Sequence, residues 1–416
     1  MPVRLDNIPA PTESPSPPSL WVWLALLVLF LMVGFGLTLV LSQDAAAQDS
    51  TTFWRTSLGI PLLIWGGLLV VRLMVWVLQQ GQAEGFNEQR FLDLSNRLRQ
   101  GRRSLQIVAS SFYSAAHEGN DGGTAGQIEA LLSNRSALKS QPARGREEMV
   151  YRHSQLPAAL VSAAQSDEET YLLGLYRRVL SDLAKPLSSL PTTQPLALLL
   201  ETECALTDEH RARVWARAWR ESGITQEVVA VKGTGLAAID HWLDTRSNDP
   251  ALLLVVAMRL ASGEQDGTAE TAVGLLLSNR QRQGGLIPRA YLHRPEQERT
   301  TTADDLLYAA QQALTWVPLP VAAVEHVWLS GIAPTRQPDI TKALLDLPCL
   351  VKPGLGLYDL GASLGHAGCA APWIAIASAT EAAGINAKPQ FIVSGAEDAT
   401  QMLWCTTLTG VPPSSK

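Results

Sequence analysis

The stretch Gly361-Ala362-Ser363-Leu364-Gly365 satisfies G-x-S-x-G, the spacing that lifts a serine onto a sharp strand-to-helix turn beside an imidazole. Ser363 would be the nucleophile. The only histidine after it is His366, which precedes Asp398, whereas a hydrolase elbow of this kind needs serine, acid and histidine in that order. The order argues against serine hydrolysis. A second glycine pattern, Gly233-Thr234-Gly235-Leu236-Ala237-Ala238, is G-x-G-x-x-A between a strand-like and a helix-like run, where a pyrophosphate could meet a helix N-terminus. The acid that should follow the next strand to bind a ribose is replaced by Met258-Arg259, and only Arg259 could meet a 2′-phosphate. This run therefore reads as a tight turn.

Cys204, Cys349, Cys369 and Cys405 form no C-x-x-C pair and have no histidine at ligand spacing, which excludes a zinc-site pattern and a disulfide framework. They read as reduced, mostly buried thiols of a cytosolic domain. Cys369 lies near His366 but opens an Ala-rich helical run, where a small packing residue is the simpler reading. His117, His153, His241 and His293 have no partner pattern. No cofactor and no metal is expected.

The elements that would position these residues alternate. Short apolar runs at Leu105–Ala109, Leu196–Leu200, Glu227–Val231, Leu252–Ala257, Thr271–Leu277, Val324–Leu329, Gln390–Val393 and Met402–Thr407 read as strands. Amphipathic stretches at Asp167–Ala184, Thr207–Ser222, Leu236–Thr245, Ala303–Trp316 and Gly368–Ala383 read as helices, with Thr207 as an N-cap before Asp208 and Glu209. Gly119–Gly126, Ser140–Gly145 and Pro295–Thr302 read as loops. The class is α/β.

Lysine and arginine total 33 against 39 aspartate and glutamate, a net charge of −6, so nucleic acid is not an expected partner. Leu20–Leu41 carries no charge and, at about 1.5 Å per residue, reaches roughly 33 Å, enough to cross a bilayer. Leu58–Leu78 is a second such run, whose Pro61, Gly66 and Gly67 would let two membrane helices approach, so residues 20–78 read as a transmembrane hairpin. The tail 1–19 is Pro/Ser-rich with Arg4 as its one basic residue, and reads as a disordered tail rather than a cleaved signal. Asp44, Asp49 and Arg55 stand between the spans, while Arg90, Arg97, Arg99, Arg102 and Arg103 follow the second, which places both termini in the cytoplasm. Arg72 reads as a snorkelling side chain. Residues 79–103, with Phe86, Phe91, Leu94 and Leu98 at near-helical spacing, form an amphipathic connector.

The run Val229-Ala230-Val231-Lys232-Gly233-Thr234-Gly235-Leu236-Ala237-Ala238-Ile239 resembles the nucleophile turn of β-ketoacyl synthases, with Lys232 in the place of the cysteine. Val324–Asp339 is similar to the segment of the first catalytic histidine, with Ser330 in its place, and Leu364-Gly365-His366-Ala367-Gly368-Cys369-Ala370-Ala371 resembles the turn of the second, matched by His366. Lys352 is too far upstream to match the lysine that precedes that histidine. The resemblance implies a thiolase-like, duplicated α/β/α/β/α body with a first half at 104–265 and a second at 266–416, opened by Glu270–Leu277. It also implies a homodimer. Condensation needs a thiolate and two histidines, so the degenerate positions Lys232, Ser330 and His366 imply a pseudoenzyme. Non-catalytic relatives of this kind accompany type VI secretion, which implies an adaptor or chaperone at the bacterial inner membrane. Its partner would be a secreted effector or a secretion-machinery component, beside the lipid bilayer. A divergent acyltransferase or serine hydrolase using Ser363 or His366 is the alternative.

Overall fold

The computed structural model describes residues 3–41, 50–117, 119–144, 146–161, 167–260, 266–279, 285–317, 320, 323–347, 351, 356–396, 398 and 400–411. Asp44, Asp49, Cys349 and Lys352 lie outside them. The chain divides into two compact units, Arg4–Leu98 and Arg99–Lys416, the latter together with Met1–Val3.

In the smaller unit, α1 (Leu20–Leu41) is followed by α2 (Ser50–Trp54), a wide turn at Arg55–Gly59, and α3 (Ile60–Gly101), whose C-terminal end enters the larger unit. Two helices are long and apolar enough to cross a membrane by length and composition. Trp23 and Trp65 meet edge to face, and the Trp65 indole donates to the Trp23 carbonyl at 2.9 Å. Close approach occurs at Gly34, where a side chain would strike Pro61 and the Ser57 carbonyl; Gly66 and Gly67 have no such neighbour. The connector is no separate element, because its helical spacing continues the second apolar run in one helix. Nor is the tail unstructured: its main chain is hydrogen-bonded along α3 at Trp76, Asn87, Arg90 and Arg97.

The larger unit is built from two copies of one strand pattern. The first comprises β1 (Ser104–Tyr113), α4 (Gly119–Leu132), a hairpin of β2 (Lys139–Ala143) and β3 (Arg146–His153), α5 (Glu168–Leu187), β4 (Leu196–Glu203), α6 (Asp208–Glu221), β5 (Val228–Ala230), α7 (Gly235–Thr245), β6 (Leu252–Arg259) and β7 (Thr271–Ser278). The second comprises β8 (Ala290–His293), β9 (Glu296–Gln297), α8 (Ala303–Thr315), β10 (His326–Ser330), α9 (Gln337–Asp346), β11 (Leu357–Asp359), α10 (Leu360–Ser363), α11 (Ala371–Asn386), β12 (Gln390–Ser394) and β13 (Trp404–Gly410). Strands run β5-β4-β6-β7-β1 in one half and β11-β10-β12-β13-β8 in the other, joined through the antiparallel β1–β8 pair. In each half the last strand, β7 or β13, is antiparallel to its neighbours. Thr271–Leu277 therefore closes the first half instead of opening the second, and the seam falls between Ser278 and Ala290.

Alternation along β6 shows how the layers form. Leu252, Leu254, Val256 and Met258 pack outward against α5 and α6, whereas Leu253, Val255 and Ala257 pack inward with α7 and α11. Helices α8 and α9 cover the outer face of the second half. The result is α/β/α/β/α, with α7 and α11 in the middle layer, their N-termini at the C-terminal ends of the parallel strands. The Gly119–Gly126 loop is corrected to the start of α4, which Ile128 and Leu131 anchor in the core. Of the predicted Ser140–Gly145 loop, Ser140–Ala143 lies in β2 of the β2–β3 hairpin, in which polar residues occupy a small two-stranded sheet, and Gly145 lies outside the described residues. Thr207 caps α6 as its sequence predicts.

Candidate functional site

Strand β4 ends in Glu201-Thr202-Glu203, and its period of two sends Glu201 and Glu203 toward the middle layer while the Thr202 hydroxyl meets the Tyr176 hydroxyl at 2.5 Å on the outer side. Gly233 and Gly235 follow β5 with φ of 103° and 54°, a left-handed path that glycine adopts without strain. Thr234 occupies the N-cap position of α7 but its side chain makes no cap bond. Glu201 takes that role: its Oε1 accepts the Gly235 N–H at 2.5 Å, and its Oε2 accepts the Trp373 indole N–H of α11 at 2.7 Å. One buried carboxylate thus ties the two central helices together, where the helix N-terminus favours negative charge. Burial nonetheless raises its pKa, opposed by these two bonds.

Glu203 does the same one strand-period later. Its Oε2 accepts the Cys369 N–H at 3.1 Å, at the short 3-10 turn Gly368–Ala370 that opens α11. Arg259, at the end of β6, stands 3.8 Å from the other oxygen. Gly368 has φ of 50°, and any side chain there would strike Glu203 and Arg259. The Cys369 thiol donates to the Met258 carbonyl at 3.4 Å. Burial, followed by the charges of Glu203 and Glu201, pushes this thiol up to about 12. It stays protonated at neutral pH.

These groups line a cavity of about 900 Å³. Its walls include Thr234–Ala237 after β5, Gly368 and Cys369 before α11 with Pro372 in its first turn, and Ser394–Ala396 at the end of β12, together with Met402 and Trp404. Two of the segments matched by sequence, Val229–Ile239 and Leu364–Ala371, contribute to these walls; no residue of Val324–Asp339 does, and Lys232, Ser330, His366 and Ser363 do not line the cavity. Lys232 is exposed beyond the end of β5. Ser330 is buried at the end of β10, where its carbonyl accepts the Gly395 N–H at 3.0 Å. His366 bridges the segment before β7, its N–H donating to Gly267 at 2.6 Å and its carbonyl accepting from Ala269 at 2.9 Å.

Ser363 is buried in the four-residue helix α10 and its hydroxyl faces the Leu360 carbonyl of the same turn at 3.5 Å. That is no nucleophile elbow. Glu201 and Glu203 were missed by motif reading, although two acids at i and i+2 ending an apolar strand place both carboxylates on one face. Among the described residues, no group of three or more histidines, cysteines and carboxylates could hold a metal ion.

No protein-family model matches the sequence. No curated protein matches it either. Solved structures do match. The ishigamide ketosynthase/chain length factor is 14% identical over 74% of this chain and 100% of its own, with a TM-score of 0.54. The oxazolomycin ketosynthase domain of Streptomyces albus JA3453 is 9% identical over 75% of this chain and 76% of its own, with a TM-score of 0.51. The ketosynthase from module 1 of the bacillaene synthase of Bacillus amyloliquefaciens FZB42 is 10% identical over 76% of this chain and 74% of its own, with a TM-score of 0.50. At such identities the likeness is one of fold, and the fold of the larger unit is the thiolase-like fold of ketosynthases.

Proposed function

We propose that this chain is a membrane-anchored, catalytically inactive ketosynthase-like protein that serves as an adaptor or chaperone for a protein partner. The observation that carries the reading is the pair of carboxylates, Glu201 and Glu203, holding the N–H groups of Gly235 and Cys369 at the cavity. Acyl transfer through a thioester needs a thiolate and open donors for the oxyanion that develops. Here those donors are occupied by negative groups that repel an oxyanion, and the one thiol in the cavity wall is held protonated. Lys232, at the nucleophile position of the resemblance, would form a stable amide if acylated.

Two apolar helices and the arginines that follow them support anchoring in a bacterial inner membrane, with both termini and the larger unit cytoplasmic. The exposed edge strand β5, with Val229 60% accessible, supports a homodimer through that edge. A secreted effector or secretion-machinery component is the partner class in this reading.

A divergent acyl enzyme is the second reading, and Cys369 in the cavity wall is what favours it. Incubating the full chain, in detergent, with a radiolabelled acyl thioester separates the two. The adaptor reading expects no stable label, and cross-linking in native membranes followed by mass spectrometry should return one specific protein partner. Stoichiometric acylation of Cys369 with turnover, lost in Cys369→Ala, would replace it with the enzyme reading.

A further inference from the structure

The proline-rich tail is recognised by α3 through main-chain contacts. Asn87 grips Thr12 on both sides, its Nδ2 donating to the Thr12 carbonyl and its Oδ1 accepting the Thr12 N–H, each at 2.9 Å. The Trp76 indole donates to the Pro15 carbonyl at 3.1 Å, and Arg90 Nε donates to that of Pro9 at 2.7 Å. Beyond a turn closed by Ile8 N–H on Leu5, Arg97 donates to the Arg4 carbonyl at 2.6 Å.

Pro9, Thr12 and Pro15 are three residues apart, the repeat of a polyproline II helix, in which every third carbonyl faces the same way. Pro9 to Pro15 at about 3.1 Å per residue spans roughly 19 Å. Trp76 to Arg90 at about 1.5 Å per residue spans roughly 21 Å. The two spans match in overall length, and Asn87, Arg90 and Arg97 recur at helical spacing on one face, with the buried Ala83 one turn before Asn87. Recognition through main chain and shape does not depend on the tail being covalently attached.

We infer that the Trp76–Arg97 face of α3 is a binding site for an extended proline-rich segment, and that residues 4–15 are its resident ligand, exchangeable with the same segment of a second copy. The site is independent of the cavity and of the adaptor reading.

The test uses the full chain in detergent with a specific protease site inserted between Pro18 and Ser19, and a fluorescein-labelled peptide of residues 3–18 followed by anisotropy. The cut chain should bind the peptide saturably, and the uncut chain about tenfold more weakly or less, because its own tail competes at high local concentration. Asn87→Ala in the cut chain should weaken binding about tenfold, since both main-chain bonds go. Replacing Pro9, Pro11 and Pro15 of the peptide by glycine should also weaken it about tenfold through lost preorganisation. Equal binding by cut and uncut chains, or an unchanged affinity in Asn87→Ala, overturns the inference. A photo-cross-linking residue at Ala83 of the uncut chain gives a second readout: it should trap residues 9–18, and failure to do so overturns the inference without any cleavage.

Discussion

Cys369 shows how a residue's neighbours decide its chemistry. By type it is the obvious nucleophile in the cavity, but burial and two glutamates raise its pKa to about 12. At pH 8, peptide-resolved alkylation of Cys369 should therefore run at least about 100-fold slower in the folded chain than in urea, because the thiolate is the reactive form. Glu296 offers a second test. Burial comes first among the causes that push its pKa up to about 7, although its side chain accepts the Trp316 indole N–H at 2.7 Å. A carboxyl whose folded pKa lies above its unfolded value binds more protons in the folded state, so stability is lost as pH rises from about 4.5 to about 7. Glu296→Gln keeps an acceptor for Trp316 and removes that dependence. Its thermal midpoint should match wild type near pH 4.5 and exceed it at pH 8, by an amount corresponding to about 3 kcal/mol.

Elements were legible where one signal dominated. The strands β4, β6, β7, β10 and β12 are apolar runs long enough to name their type, and α5, α6, α7 and α8 carry a helical stripe. What the sequence hid was short or decided by packing at a distance: β8, β9 and β11 have four, two and three residues, and α4 begins in a glycine-rich run that only the core holds helical. The seam was misplaced for a similar reason, because β7 reads as a strand but its antiparallel pairing is not written in its composition. Two glycines of the α11 region separate local propensity from packing. Gly384 has nothing near its would-be side chain, so Gly384→Ala should stabilise by about 0.5–1 kcal/mol. Gly368→Ala should cost about 1–3 kcal/mol, since it adds left-handed strain and displaces Glu203 from the Cys369 N–H. Denaturation midpoints of the two variants should move in opposite directions.

For the whole molecule, two of the converging turns, those at Thr234–Ala237 and Gly368–Cys369, were legible in the sequence but not what fills them, because the acids of β4 meet α7 and α11 only after both halves have assembled. The smaller unit carries the last prediction, which concerns topology. Its tail bonds to Asn87 and Arg90, so residues 9–15 and 87–90 must share one side of any bilayer that the apolar helices cross. Two crossings satisfy this and one does not. In the proposed reading, the arginines at 90, 97, 99, 102 and 103, against Arg55 alone between Leu41 and Leu58, put that shared side in the cytoplasm. In intact inside-in cells, a membrane-impermeant maleimide should therefore label Asp49→Cys but neither Thr12→Cys nor Glu84→Cys, while permeabilised cells label all three. Outside labelling of both Thr12→Cys and Glu84→Cys would invert the orientation and keep the hairpin. Labelling of only one of them would separate the tail from α3 and remove the two-crossing arrangement itself.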